Sequence, residues 1–199
     1  MSEFVYYDER HIYTLDGVVL PGVTGVIDNG LHPYAGVPKE LLDRAARFGS
    51  AMHLMVKYYL AGELDEETLD EPLQGCLAGF KKFQNDYHHF FDEECTIEKP
   101  GYHPKLKYAG TPDLDFPSRV IDTKSRETNM LTDGIQVGAY DHMTGKGNRE
   151  RYVLELYQDG SYKLVRLNPT KKSGDLAWSR FRYLLDFYNM GKEVERWTK

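Results

Sequence analysis

Hydrophobic and polar positions along the chain change period several times, and each change marks an element. His11-Ile12-Tyr13-Thr14 and Val18-Val19-Leu20 read as strands on either side of Asp16-Gly17. Asp-Gly between β-formers is a strong hairpin signal, because both residues tolerate positive φ. Residues 21–37 hold Pro21, Gly22, Gly25, Gly30, Pro33 and Gly36, and read as a connector with one helical turn. Helical spacing begins near Pro38 and runs through Leu41, Leu42 and Ala45. It resumes from Ser50 to Leu60, where Met52, Val56, Tyr59 and Leu60 recur on one side. Asp65-Glu66-Glu67 reads as a solvated loop or helix start. A longer helix from about Pro72 to Phe91 gathers Cys76, Phe80, Phe83, Tyr87 and Phe90, widened by Leu73 and Leu77.

The pattern then turns to strands. Thr96 to Lys99 is the first, Lys107 to Phe116 the second and Arg119 to Ser125 the third, with Pro117-Ser118 as the turn between the last two. A helix follows over Thr132 to Thr144, with Ile135, Ala139 and Met143 along one stripe. Two further strands flank Asp159-Gly160. A closing helix over Gly174 to Met190 turns Trp178, Phe181, Leu185 and Tyr188 inward. A helix between strands predicts a crossover, hence an α/β fold whose mixed sheet carries helices on both faces. The 199 residues suit a single domain, with residues 1–37 as hairpin and connector and 38–199 as helical segment and α/β core.

Composition narrows the function classes. No run of eighteen apolar residues is present, so no membrane-spanning helix is expected. The N-terminal residues lack a basic start followed by an apolar segment, which predicts a cytoplasmic protein. The two cysteines, Cys76 and Cys95, are too few for a zinc ribbon or a four-cysteine iron–sulfur cluster, and read as reduced structural thiols. The formal net charge of −6 argues against broad, nonspecific nucleic-acid affinity. Carboxylates gathered around a cation count as negative in that sum, however, and Arg44, Arg47, Lys105, Lys107, Lys171 and Lys172 are available to line one face.

Chemistry concentrates in Gly110-Thr111-Pro112-Asp113 and Ile121-Asp122-Thr123-Lys124. Antiparallel neighbours lie about 5 Å apart, so Asp113 and Asp122 from facing positions can share one hard cation. Lys124 is two residues beyond Asp122 and projects to the same face. A surface ion pair would account for Asp-x-Lys alone. The whole pattern, with Val120 and Ile121 leading into the acid, points to a metal site. His53 lies on the apolar side of its helix, where a hydrogen-bonded core histidine and a metal ligand are both compatible with its place. Gln136 and Tyr140 share one helix face. They suit either orientation of a phosphate or an ordinary helix flank. Glu98 on the first strand faces either the site or solvent.

Taken together, Gly49-x-x-x-His53, Glu98, Gly110-Thr111-Pro112-Asp113, Ile121-Asp122-Thr123-Lys124 and Gln136-x-x-x-Tyr140 resemble the PD-(D/E)XK nuclease superfamily, and within it the phage-type RecB/Cas4-like exonucleases. The resemblance implies a restriction-endonuclease-like core, with a mixed four- to five-stranded sheet flanked by helices. It implies His53, Asp113, Asp122 and the Thr123 carbonyl as ligands of one or two Mg²⁺ or Mn²⁺ ions. Lys124 would then act on water and charge, and Gln136 and Tyr140 would orient substrate or Lys124. The implied activity is exonucleolytic hydrolysis of linear DNA, double- or single-stranded, in recombination, repair or processing. A single-strand annealing or recombination protein is a candidate partner. A sequence- or structure-specific endonuclease of the same fold, and a noncatalytic nucleic-acid-binding module, are the alternatives. The second acid is Asp122 rather than Glu, as in the RecB-like branch, and the cluster cysteines of the iron–sulfur members are missing.

Overall fold

A computed structural model describes residues 2–7, 11–143 and 147–197, with side chains through residue 194. Its centre is a five-stranded mixed sheet of order β10-β9-β8-β7-β4. The strands are β4 (Thr96–Ile97), β7 (Leu114–Asp115), β8 (Arg119–Lys124), β9 (Glu150–Leu156) and β10 (Tyr162–Leu167). β8 and β9 run parallel, joined by a crossover through α4 (Thr132–Met143), and the other pairs are antiparallel. The mixed sheet and its crossover are those that the alternation of periods predicts.

Strand alternation splits the core into two layers. Val120 and Val153 point to one face and pack with α4, with α1 (Val23–Leu31) and with α5 (Lys171–Trp197). Ile121, Tyr152, Leu154 and Leu156 point to the other, against α3 (Glu71–Asp86) and the second half of α2 (Lys39–Ala61). α3 starts on an Asp70 carboxylate that accepts from Leu73 N at 3.1 Å, with Pro72 in the first turn where no N–H is needed. It lies close against the β9–β10 turn. A Cβ at Gly75 would sit 1.8 Å from the Gln158 carbonyl oxygen, and one at Gly79 would sit 2.6 Å from that of Ser161.

Several boundaries differ from the sequence expectation. The N-terminal hairpin, β2 (Ile12–Leu15) and β3 (Val18–Leu20), gains a third strand, β1 (Phe4–Tyr7). Residues 23–31 form a nine-residue helix rather than a single turn. α2 runs unbroken through Gly49, α3 ends at Asp86 before a 3₁₀ turn at His88–Phe90, and α5 extends three turns further at its ends than the apolar spacing indicates. Lys107–Phe116 is not one strand. Ala109–Gly110 (β6) pairs with Gly101–Tyr102 (β5), then Thr111-Pro112 breaks the ladder before β7. The expected end of α4 at Thr144 lies outside the described residues. Among the described residues, no helix is long and apolar enough to cross a membrane.

Candidate metal centre

The register that pairs Leu114 with Ile121 sets Asp113 across from Asp122 at the C-terminal end of β8. Because β8 alternates, Asp122 and Lys124 face the α4 layer and Thr123 faces the α2 layer. α2 delivers His53 to that second side. His53 Nδ1 lies 3.1 Å from Glu98 Oε1, 3.2 Å from Asp113 Oδ1 and 3.4 Å from Thr123 Oγ1. Thr123 orients Asp113 by two bonds to Oδ2, one from its backbone N–H and one from its hydroxyl at 2.7 Å. One donor atom each from His53, Glu98 and Asp113 lie within 4.8 Å of one another.

Asp122 stands beside this trio rather than in it. Its Oδ1 accepts from Gln136 Nε2 at 3.3 Å, and the same amide reaches the Tyr140 hydroxyl at 3.1 Å. Its Oδ2 forms a buried ion pair with Lys124 Nζ at 2.6 Å. The all-N/O donor set of His53, Glu98 and Asp113 fits a hard divalent cation such as Mg²⁺ or Mn²⁺.

Electrostatics follow the crowding of charge. Burial opposes a charged His53, but Asp113 and Glu98 outweigh it and push its pKa up to about 10. Burial raises Glu98, and the neighbouring Asp113 carboxylate adds to the effect. Burial would raise Asp113 too, but His53, Lys124 and the Thr123 N–H overcome it and hold Asp113 below its ordinary value. Asp122 goes the other way, pushed up to about 6 by burial and by the Asp113 charge despite Lys124. Lys124 is raised, since Asp122 and Asp113 outweigh its burial, so it is held as an ammonium.

Of the residues singled out in the sequence, His53, Glu98, Asp113, Asp122, Thr123, Lys124, Gln136 and Tyr140 all converge here. Glu98, rather than Asp122, completes the tightest donor group. Arg44 and Arg47 fall on the side of α2 away from His53 by helical spacing. The sequence reading missed the groups that fix the segment after Lys124. Arg126 makes a two-pronged bond to the buried Asp133 at 2.7 and 2.9 Å. The fully buried Glu155 accepts from Thr128 N–H at 2.9 Å and also from the Thr128 and Tyr157 hydroxyls. A charged residue inside the apolar run Tyr152–Leu156 was the available signal for Glu155. Tyr13 of the N-terminal sheet also reaches in, its hydroxyl 3.0 Å from Thr111 Oγ1.

Fold and site together define a mixed α/β domain with a histidine–carboxylate centre and an adjoining lysine at the end of its central parallel pair. Among solved structures the chain is similar to LHK-Exo in complex with dAMP, with a TM-score of 0.45 and 14% identity over 88% of this chain and 89% of that one. It is also similar to an alkaline exonuclease (LHK-Exo) from Laribacter hongkongensis, with a TM-score of 0.38 and 12% identity over 87% of this chain and 93% of that one. Likenesses this distant carry no functional weight. No protein-family model matches the chain, and no curated protein matches it.

Proposed function

We propose that this protein is a metal-dependent deoxyribonuclease of the PD-(D/E)XK type, in its RecB/Cas4-like branch, acting as an exonuclease on linear DNA in recombination, repair or processing. The observation that carries the reading is the convergence of His53, Glu98 and Asp113 on one small volume beside an Asp122–Lys124 pair. His53, Asp113 and Asp122, with Glu98 and the Thr123 carbonyl alongside, would hold Mg²⁺ or Mn²⁺. When bound, the cation supplies Lewis-acid charge at the phosphodiester and makes water a nucleophile near neutral pH.

The protein's own groups do the remaining work. Lys124 directs a fixed positive charge at the phosphate from a largely dehydrated position, where it counts for more than in bulk water. Gln136 fixes the Asp122 carboxylate and the Tyr140 hydroxyl in one orientation. Thr123 does the same for Asp113, so the acceptors need little rearrangement when substrate arrives. Lys124→Met tests the assignment. DNA hydrolysis in Mn²⁺ should fall by about 10²–10³-fold, the usual effect of losing one preorganised charge-stabilising donor. Stabilisation of the fold by Mn²⁺ should survive, since Lys124 is not a ligand. Undiminished hydrolysis by the pure variant would refute the role.

A further inference from the structure

The closing helix carries a second apolar stripe that the body of the protein does not cover. Ala177, Phe181 and Leu185 are the buried side of α5, which packs on α1 and α4. Leu176, Tyr183, Phe187, Met190 and Val194 are all exposed, Tyr183 at 75% and Phe187 at 61%. With Arg180 they recur at steps of four, three, four, three and four residues. That is the a/d spacing of a coiled coil, and helical geometry sets the stripe roughly 140° around the axis from the buried side. Past Tyr188 the helix has no buried side: every residue from Asn189 to Val194 is exposed.

Exposure on this scale calls for a cover. The five apolar side chains present on the order of 500 Å² along one line, the size at which an apolar patch on a monomer is often functional. Two such stripes laid together would remove about 1,000 Å² from water before flanking residues are counted, which reaches the floor for a specific interface. Helices in proteins are held chiefly by packing of an apolar face, and the last turns of α5 lack that support within one chain.

We propose that α5 is a homodimerisation element, pairing antiparallel with α5 of a second copy of this chain across a two-fold axis beside Leu185. The stripe has the same spacing read from either end. A reversed copy therefore sets Leu176 against Val194, Arg180 against Met190 and Tyr183 against Phe187. The two most exposed aromatics meet at the centre and the aliphatic residues close the ends. A parallel pair would instead stack Arg180 on Arg180 inside the seam, whereas reversal separates those charges by about 15 Å of helix rise. Arg182 and Asp186 stand one turn apart at the margin of the stripe, next to the axis. Across that axis each faces its opposite in the second copy, so two arginines and two aspartates gather with no net charge. None of the residues of the metal centre belongs to α5, so the pairing stands or falls apart from the nuclease reading.

Sedimentation equilibrium of the full chain at micromolar concentration should give twice the 23.0 kDa mass of one chain. Phe187→Glu should raise the dimer dissociation constant by about 100-fold or more, because the two-fold axis removes the contact in both copies. The variant should stay folded, since Phe187 is exposed, and cooperative thermal unfolding checks this. Crosslinking reads the direction of the pair. Copies carrying Arg180→Cys, mixed with copies carrying Met190→Cys, should join through a disulfide under mild oxidation. Each variant alone should give only the background set by Cys76 and Cys95. A monomer at that concentration, a trimer, a dimer that Phe187→Glu leaves intact, or Arg180→Cys copies that join each other in preference to the mixture would each overturn the proposal. A monomer retained on lipid vesicles through Phe187 would give the stripe to a membrane surface and overturn it as well.

Discussion

At the scale of single residues the site is a set of carboxylates that disagree about their protons. Asp113 is stabilised as an anion, while Asp122 is pushed up to about 6 and His53 up to about 10. A raised histidine stabilises the fold fully below its ordinary value of 6.5, and loses that contribution as pH rises through about 10. A raised acid likewise helps only while protonated. Asp122 gives its contribution below 3.8 and has lost it above about 6. The metal-free protein should therefore lose stability steadily from neutral to alkaline pH, and His53→Gln should flatten that slope. Melting temperatures from pH 7 to 10 for both proteins decide it, and parallel curves would show that His53 does not hold the proton. Metal ligation must expel the same proton, so the apparent affinity for Mn²⁺ should climb with pH over this range. Titration calorimetry in buffers of different ionisation heat would register the release.

At the scale of elements, α3 and its glycines show what periodicity reveals and what it hides. The stripe of Cys76, Phe80 and Phe83 was readable, because burial of one helix face repeats every three to four residues. Gly75 and Gly79 are the places where its backbone meets Gln158 and Ser161, an approach that periodicity does not reveal. Gly75→Ala, favourable by helix propensity alone, should destabilise the protein by about 1–3 kcal/mol through overpacking against backbone, which cannot swing aside. Chemical denaturation would measure it, and a neutral result would mean that α3 can slide. α1 escaped the sequence reading for a related reason. Gly25 and Gly30 read as breaks, although Gly30 serves the approach of Leu184, whose Cδ2 would lie 2.4 Å from a Cβ there. The separation of β6 from β7 was implied by Thr111-Pro112, since proline cannot donate to a ladder. The site was more legible than the connections around it. Asp113, Asp122 and Lys124 stand close together on two strands joined by a turn, a spacing readable along the chain, whereas Arg126, Asp133 and Glu155 carry meaning only once the fold brings them together.

At the scale of the whole molecule, one buried network ties α4 to β7, β9 and α5. Asp141 of α4, fully buried, accepts from Arg149 Nε at 2.8 Å and from Arg151 Nη2 at 2.7 Å. Arg149 also pairs with Asp115 of β7, and Arg151 donates to the Gly174 carbonyl in the first turn of α5. Removing the shared acid leaves the buried Arg151 guanidinium with the Gly174 carbonyl but no carboxylate, whereas Arg149 keeps Asp115. Asp141→Ala should cost about 3–5 kcal/mol, the usual penalty for breaking a buried pair. Denaturant unfolding measures the loss. A change below the usual surface range of about 0.5 kcal/mol would mean that solvent reaches the network.

The parallel pairing of β8 with β9 has a kinetic consequence. His53, Glu98, Asp113, Asp122 and Gln136 come from five separate segments, and β8, paired locally with β7, gains its second partner only when the chain has returned through α4 to Glu150. Contacts so distant along the chain close late, after helices and hairpins have formed. On the proposed reading of the centre, ion capture should follow the meeting of α2 with the β7–β8 hairpin, and so should report a late step of folding.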